Sequence, residues 1–448
     1  MTGAGGVAPA APSRFPLLLA CVALLAFAVR ELFVLTTVVE APIVGDIVEY
    51  VSYAWNLVHH GVYSHAMPDP GVVPSPDSYR MPGYPGLIAL GMTWFPTHWI
   101  AFVLQVQVVL GTATVVLVGL LARRWLSTAW AIGAAGLLAL WPHHVAATGA
   151  MLSEVTFGFL LVLAAYCFAR AWSSDRLSMF FVTALAFAAA WLVNPIVMLF
   201  PPLLAALAWR HGRGRAAAVL LGVFLLPIAA MSLREADLPG ESGSAQRARL
   251  NFVQGSWPEY HEAANRFRTG DKVAIAIMRE IDDETNALRT STPGGLARVG
   301  ERMALYPSFY VKWYLGKPWR AWGWRIGLGA SDVGFLRTQH SPLERNAVLR
   351  GVVQAYKFVN PVLTTILLAC AVVLVVAGVR RARWVPAAAV GALALYLTLM
   401  HVILQADPRH ATAYRGLEAI LVATALAWCV GKVRGRGGVR HFRRVHAT

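Results

Sequence analysis

The polar residues best suited to chemistry are concentrated in residues 44–60, directly after the first long apolar run. A helix turns by about 100° per residue, so a helix of this sequence would have one apolar and one polar face. The polar face gathers two carboxylates, two phenols and an imidazole, from Asp46, Glu49, Tyr50, Tyr53 and His60. Such a helix is expected to lie at the membrane surface, with its apolar face in lipid or against other helices. Its polar face would then line an aqueous cavity.

Other polar residues lie at the ends of later apolar runs. Arg80 and Tyr84 flank a Met-Pro-Gly turn, Glu154 follows a serine at the start of a run, and Arg409 and Arg415 precede the last run. Helix capping is a structural alternative for the serine and Glu154, and headgroup anchoring is one for the arginines. The positive-inside rule, however, places most arginines on the cytoplasmic side of the membrane. Arginines on the external side are therefore better explained by an anionic ligand.

The composition is that of a polytopic membrane protein. Of the 448 residues, 57% are hydrophobic and only 14% are charged, whereas soluble chains carry about a quarter charged residues. The net charge of +16 comes from arginine clusters in short loops, as the positive-inside rule requires, so no nucleic-acid partner is predicted. Those loops are predicted to be cytoplasmic, and residues 46, 154 and 409 external.

The apolar runs predict an all-α fold with roughly 10–12 transmembrane helices. The run at 84–95 is too short to cross a bilayer, and it is expected to be re-entrant or interfacial. Arg30 and Glu31, adjacent in the first run, are expected to neutralise each other. The predicted organisation is a disordered tail (1–14), a membrane core (15–233) with a catalytic first external loop (40–83), a mostly helical external segment with interfacial helices (234–357), C-terminal membrane helices (358–432) and a basic cytoplasmic tail (433–448).

The aromatic-rich stretch at 306–324 interleaves Trp and Tyr with Lys and Arg. This pattern favours anchoring at the headgroup level, with stacking on a sugar or a prenyl chain as the alternative.

Common motifs of soluble enzymes are missing from the sequence. It contains no P-loop, HExxH, paired CxxC or G-x-S-x-G motif, and its four cysteines fall inside apolar runs. His59 and His60 are adjacent, so on a helix they point about 100° apart and make a poor metal pair. No metal site and no cofactor are predicted; a divalent metal is possible but unsupported.

The order of the motifs resembles a known family. An apolar first span is followed by Gly45-Asp46-x-x-x-Tyr50, then Tyr79-Arg80-x-Pro82-Gly83-Tyr84-Pro85, then Leu152-Ser153-Glu154, and finally Asp407-Pro-Arg409 before the last span. This pattern resembles the GT-C superfamily of polyprenyl-phosphate-sugar-dependent glycosyltransferases. The resemblance is strongest to the group of protein O-mannosyltransferase-like, aminoarabinose transferase-like and rhizobial lipopolysaccharide sugar transferase-like enzymes, and it covers about the first 200 and the last 45 residues.

The resemblance implies transfer of a sugar from a lipid-linked phosphate donor to a membrane-associated glycan, lipid or protein acceptor. It implies an active site on the external face of a multi-pass protein of the bacterial inner or plasma membrane. The family's acidic residue in the first external loop matches Asp46. A later acidic residue of the family matches Glu154, and its basic residue before the last span matches Arg409. In the family another acidic residue often follows directly after the first-loop one. This sequence has Ile47 at that position, and Glu49 is the nearest acidic residue that could replace it.

Chemistry argues for the same assignment. A sugar phosphate already has a good leaving group, so arginines that hold the phosphate suffice on that side; Arg80, Arg409 and Arg415 are the candidates. Asp46 is then the expected base for the acceptor hydroxyl, in a single inverting displacement, and Tyr50, Tyr53 and His60 are expected to orient the substrate. The alternative is a transporter or flippase of a lipid-linked or anionic substrate, which predicts polar groups near the bilayer midplane instead.

Overall fold

The computed structural model describes residues 14–238, 243–267 and 269–433, and these residues are mostly α-helical. In this part of the chain the only strands are two short ones, β1 (Val38–Val39) and β2 (Thr338–Gln339), which pair antiparallel. The prediction of an all-α polytopic membrane protein is confirmed. The predicted N-terminal and C-terminal tails lie almost wholly outside the described residues.

Residues 14–238 form ten α-helices. In chain order they are α1 (Phe15–Thr36), α2 (Asp46–His60), α3 (Gly83–Trp94), α4 (Trp99–Ala122), α5 (Thr128–Ala139), α6 (Pro142–Ala146), α7 (Glu154–Ser174), α8 (Leu177–Val193), α9 (Phe200–Arg210) and α10 (Gly214–Ala236).

The long segment between the two membrane parts is mostly helical, as predicted. Its last full helix before the loop at 322–341 exposes Phe309, Leu315 and Trp319 and buries Tyr310 and Lys317, so it has one apolar exposed face. The helices are α11 (Gly243–Ser256), α12 (Tyr260–Phe267), α13 (Lys272–Thr290), α14 (Thr292–Leu305), α15 (Pro307–Ala321) and α16 (Pro342–Arg345).

The described residues end with four further helices: α17 (Ala347–Arg380), α18 (Val385–Ile403), α19 (Pro408–Ala411) and α20 (Arg415–Val433). The boundary predicted between 357 and 358 falls inside α17, because that helix begins after the Asn346 cap, about three turns before residue 358. Among the described residues, seven helices are long and apolar enough to cross a membrane: α1, α4, α7, α10, α17, and α18 and α20 with the short turns before them. Three shorter apolar helices accompany them: α5, α8 and the segment containing α9.

Helix α2 begins directly after Gly45, whose φ of 58° lies in the left-handed region that favours glycine. Its buried side is the one that carries Tyr50, Tyr53 and Asn56, whereas Val44 and Val58 are exposed. The polar face of the helix is therefore the face turned toward the protein.

The short helix α3 packs against α2, α4 and α8. Its twelve residues extend about 18 Å, well short of the hydrocarbon core. A helix of this length fits the predicted re-entrant or interfacial placement.

The predicted neutralisation of Arg30 by Glu31 is wrong. The Arg30 guanidinium is buried and lies 2.8 Å from Nδ1 of His144, while Glu31 accepts a 3.0 Å hydrogen bond from Gln105. Adjacent side chains on a helix point about 100° apart, so the two groups reach different neighbours.

The two ends of helix α7 have different charged surroundings. It begins at Glu154 and ends at Ser174, a length of about 30 Å, which matches the hydrocarbon thickness. The arginine-rich turn after α4, the turn between α9 and α10 and the turn between α17 and α18 gather around its far end, at Trp172. Glu154 and the basic loops thus occupy opposite ends of the bundle.

Candidate active site

Two guanidinium groups converge on the carboxylate of Asp46. Arg80 Nη2 lies 2.7 Å from Oδ1, and Arg409 Nη2 lies 2.7 Å from Oδ2. Arg80 is almost fully buried, and the Asp46 side chain is 35% exposed. The carboxylate therefore bridges two cations while keeping one side open to an incoming molecule.

Each of the two arginines also binds a second carboxylate. Arg80 Nε donates to Glu49, and Arg409 Nε donates to Glu154 Oε1 at 2.6 Å. The result is a row of five alternating charges, Glu49, Arg80, Asp46, Arg409 and Glu154, called here the acid–arginine row. Glu154 Oε2 is buried and has no hydrogen-bond partner among the described residues, so it can accept one from a ligand.

Helix starts and short loops hold these five side chains. Asp46 and Glu49 are three residues apart in the first turn of α2, on one face of the helix. Glu154 is the first residue of α7, so both helix N-termini favour the carboxylates placed there. The Ser153 side chain does not cap α7; its hydroxyl lies 3.4 Å from the Tyr50 hydroxyl instead.

Aromatic rings line one wall of the site. The Arg80 guanidinium lies 4.9 Å from the centre of the Tyr50 ring, a cation–π contact. Tyr84 contacts Tyr50 edge-on at 5.1 Å, and its hydroxyl donates to Gln107 at 2.9 Å. Tyr50 is thus fixed between a cation and a second ring.

Tyr53 holds the loop that carries Arg80. Its hydroxyl donates to Asp77 and accepts from the backbone N–H of Arg80 at 3.2 Å. Burial and the hydrogen bond to Asp77 raise the pKa of Tyr53, which keeps the phenol neutral as a donor. This residue positions Arg80 through the backbone of that residue.

Two predicted site residues lie elsewhere. His60 is at the other end of α2, about 21 Å from Asp46, where its ring nitrogen lies 3.0 Å from the Asp69 carbonyl. Arg415 is fully buried against Glu418 at 2.6 Å, and it also donates to the carbonyl groups of Trp322 and Gly323. Neither joins the acid–arginine row.

Arg247, on α11, is a third cation near Asp46 and is not predictable from the sequence. Its guanidinium lies 5.5 Å from the centre of the Tyr79 ring, and it forms no ion pair with the described residues. Helix α11 approaches closely because Gly243 has no Cβ; one would lie 2.3 Å from Tyr79 Cα. The only sequence signal is a basic residue in a polar segment, which does not distinguish Arg247 from its neighbours.

A second missed pair anchors Arg409. The Asp407 carboxylate lies 3.0 Å from His261 Nε2 and accepts the backbone N–H of Arg409 at 2.8 Å. Burial raises the pKa of Asp407, but the hydrogen bonds from His261 and from the Arg409 backbone favour the ionised form and lower the pKa overall. Asp407 thus fixes the backbone at Arg409 as a carboxylate.

The electrostatics of Asp46 follow from its neighbours. Burial alone would raise the pKa of Asp46, but the charges of Arg409, Arg80 and Arg247 outweigh burial and hold the pKa well below its usual range. A carboxylate in this state is always ionised and is a weak base. Any ligand that takes the guanidinium groups from Asp46 would raise its pKa and make it a stronger base.

Within the described residues, no three His, Cys, Asp or Glu side chains lie close enough together to hold a metal ion. Asp46, Glu49 and Glu154 are each bound to an arginine.

Solved structures with a similar fold exist, although no protein-family model and no curated protein matches the chain. The Archaeoglobus fulgidus oligosaccharyltransferase tethered with an acceptor peptide matches 94% of the chain at 16% identity, with a TM-score of 0.52. The apo form of that enzyme matches 95% at 14% identity, with a TM-score of 0.51. ArnT from Cupriavidus metallidurans bound to undecaprenyl phosphate matches 91% of this chain and 78% of its own at 14% identity, with a TM-score of 0.36.

The chain spans about half the length of the archaeal enzyme, 50% of one structure and 52% of the other. The shared part includes nearly all of this chain. At this level of identity the likeness is one of fold: the chain has the fold of the membrane part it shares with the archaeal enzyme.

Proposed function

We propose that this protein is a membrane glycosyltransferase that moves a sugar from a polyprenyl-phosphate-linked donor to an acceptor hydroxyl. The observation that carries the proposal is the position of the Asp46 carboxylate between Arg80 and Arg409, 2.7 Å from each. Two guanidinium groups around one oxyanion form a site suited to a phosphate, and a carboxylate beside it is suited to accept a proton. The fold shared with an oligosaccharyltransferase supports the same reaction class.

The proposed reaction is a single displacement. The acceptor oxygen attacks the anomeric carbon, its proton passes to Asp46, and the bond from the anomeric carbon to the phosphate oxygen breaks with its electron pair on that oxygen. The leaving lipid phosphate gains negative charge, which Arg80 and Arg409 stabilise. Attack opposite the leaving group inverts the anomeric centre.

Donor binding also prepares the base. In the ligand-free protein the two arginines lower the pKa of Asp46. A donor phosphate competes for the same guanidinium groups, and Asp46 then experiences mainly the burial that raises its pKa. The carboxylate thus becomes a stronger base when the donor is in place.

The remaining residues of the site have supporting roles in the proposal. The unpartnered Glu154 Oε2 accepts a sugar hydroxyl, and the Tyr50 ring packs against the sugar. Glu49 holds Arg80 by its ion pair and is a positioning residue. Arg247 adds positive charge beside Tyr79.

The proposed active site faces outward from the cytoplasm. The arginine-rich turns surround one end of α7, and Glu154 lies at the other. The positive-inside rule assigns the basic end to the cytoplasm, which leaves the acid–arginine row external. The acceptor is then an envelope glycan, lipid or protein on that side of a bacterial inner membrane.

A flippase for the same lipid is the rival. Transporters of this kind bind near the bilayer midplane, between interrupted helices. Here the polar groups lie at the starts of α2 and α7 and in the loops before α3 and α20, at one end of the bundle.

Purified protein in liposomes, supplied with polyprenyl-phosphate-linked sugars and membrane extracts as acceptors, tests the proposal. The expected result is loss of the sugar from the donor, release of polyprenyl phosphate and a new glycosidic bond found by mass spectrometry. Envelope glycans from cells with and without the gene should differ by one sugar, which identifies the donor and the acceptor. Movement of intact donor across the liposome without release of polyprenyl phosphate would contradict a transferase and support the flippase.

A further inference from the structure

We infer that the end of the bundle opposite the acid–arginine row carries a second binding site, one for the headgroup of an anionic phospholipid. A cavity of about 240 Å³ opens there between the ends of α4, α7 and α18. Its lining includes three arginines and two tryptophans: Arg124, Arg213, Arg383, Trp125 and Trp172. This set is called the basic pocket below, and it is independent of the proposed enzymatic function.

The walls of the basic pocket are built by specific contacts. The Arg213 guanidinium lies 4.1 Å from the centre of the Trp172 ring and donates to the Trp172 carbonyl at 2.8 Å. The indole N–H of Trp172 donates to the Ala382 carbonyl at 3.0 Å, which joins the end of α7 to the turn before α18. The arginine and the tryptophan are therefore held in place in the ligand-free protein.

The positive charge of the basic pocket is largely uncompensated. Arg213 lies 3.2 Å from Asp175, whose side chain is 72% exposed, and such surface pairs contribute little. Arg124 and Arg383 form no ion pair with any described residue. Three guanidinium groups therefore surround a cavity in which only Arg213 has an acidic neighbour, and that ion pair is weak. Such a cavity favours a ligand with a phosphate group.

The position of the basic pocket along the membrane-spanning helices indicates that a lipid headgroup is the source of that phosphate. The pocket lies at the far end of α7, about 30 Å from Glu154, where spanning helices reach the headgroup layer. Tryptophans are typical of this layer, and Pro386 and Ala387 add an apolar lining on which a glycerol backbone can pack. Basic pockets between spanning helices are known to bind anionic headgroups.

Native mass spectrometry of the delipidated full-length protein with phosphatidylglycerol or phosphatidylcholine tests the inference. The pocket variant combines Arg124→Gln, Arg213→Gln and Arg383→Gln. The matched control combines Arg176→Gln, Arg210→Gln and Arg381→Gln, which removes the same charge from the same end of the bundle outside the cavity. If each pocket arginine contributes about 1 kcal/mol, affinity for phosphatidylglycerol falls on the order of a hundredfold in the pocket variant. The control should lose no more than about threefold.

Equal losses in the two triple variants, or equal binding of phosphatidylcholine and phosphatidylglycerol by the unaltered protein, would overturn the inference. Competition identifies the source of the phosphate: short-chain phosphatidylglycerol should displace the bound lipid at concentrations where inorganic phosphate does not. Equal displacement by both would overturn the lipid assignment. If loss of Arg213 impairs folding, the double variants Arg124→Gln/Arg383→Gln and Arg176→Gln/Arg381→Gln provide the same comparison.

Discussion

Asp46 and Arg409, 363 positions apart in the chain, are joined by an ion pair of 2.7 Å between Oδ2 and Nη2. The pair connects α2 to the short helix α19, which precedes the last membrane helix. Because Arg80 binds the other oxygen, the proposed base occupies the groups proposed to hold the donor phosphate. Donor and carboxylate therefore compete for the same arginines, and several of the expectations below follow from this competition.

Replacing Arg409 by alanine should weaken binding of the donor much more than binding of the acceptor. The variant loses one of two guanidinium groups that hold the phosphate, and interactions of this kind contribute about 2–3 kcal/mol. The KM for the donor should rise at least about tenfold, and the KM for the acceptor should change little. Steady-state kinetics with each substrate varied in turn measure both values.

Arg325→Ala is the control for this variant, because Arg325 is exposed and lies in the loop at 322–341, two residues before the Gly327 that contacts Asp407. It should leave both KM values unchanged. Equal increases for donor and acceptor in Arg409→Ala would count against a phosphate-binding role.

The pH profile should report the charge around Asp46. A carboxylate works as a base only when ionised, and its pKa in the free protein lies below the ordinary 3.8. The kcat/KM of the unaltered enzyme should therefore not fall between pH 7 and pH 5 on account of Asp46. In Arg409→Ala the pKa of Asp46 rises, so the acidic limb should move to higher pH. Identical acidic limbs for the two proteins would argue against Asp46 as the base.

Arg415→Ala should destabilise the protein without affecting donor binding. The change leaves the Glu418 carboxylate buried without its partner, which typically costs about 3–5 kcal/mol. The midpoint of thermal unfolding should fall by roughly 5 °C or more, and Arg415→Met/Glu418→Leu should recover much of the loss. A rise in donor KM as large as that of Arg409→Ala would instead place Arg415 in the donor site.

Removal of divalent metal should leave transfer intact. The three carboxylates of the acid–arginine row are already paired with guanidinium groups, which compete with a cation. We expect full activity after dialysis against EDTA and no stimulation by added Mn²⁺ or Mg²⁺. Activity that disappears with EDTA and returns with one of these ions would refute this expectation.

Much of the fold is predictable because lipid imposes long apolar helices. The apolar runs at 98–121, 178–193 and 385–404 predict α4, α8 and α18 to within a few residues. The start of α17 is not predictable in this way, since Arg350, Gln354 and Lys357 interrupt the apolar residues of its first three turns. The partner of Arg30 depends on which loop packs beside α1. The adjacency of Arg30 and Glu31 in the sequence does not show which loop that is.

The site is predictable where the motifs lie at helix starts or in the loops just before them. Asp46, Glu154 and Arg409 come together as the order of the motifs suggests. His60 shares a helical face with Asp46 but lies four turns away, because a face extends along the whole helix. Arg247 comes from α11 in the long polar segment, and its approach to the site depends on tertiary packing.

The most direct test of the account is the transfer activity of Asp46→Asn, measured with purified protein and a polyprenyl-phosphate-linked sugar. Asparagine keeps the shape of the side chain but cannot take the proton of the acceptor, so kcat should fall by about 10²–10⁴-fold. Asp69→Asn, which alters an exposed loop carboxylate, should keep its activity, and both variants should insert and unfold like the unaltered protein. A fully active Asp46→Asn enzyme would contradict the central claim that Asp46 is the base.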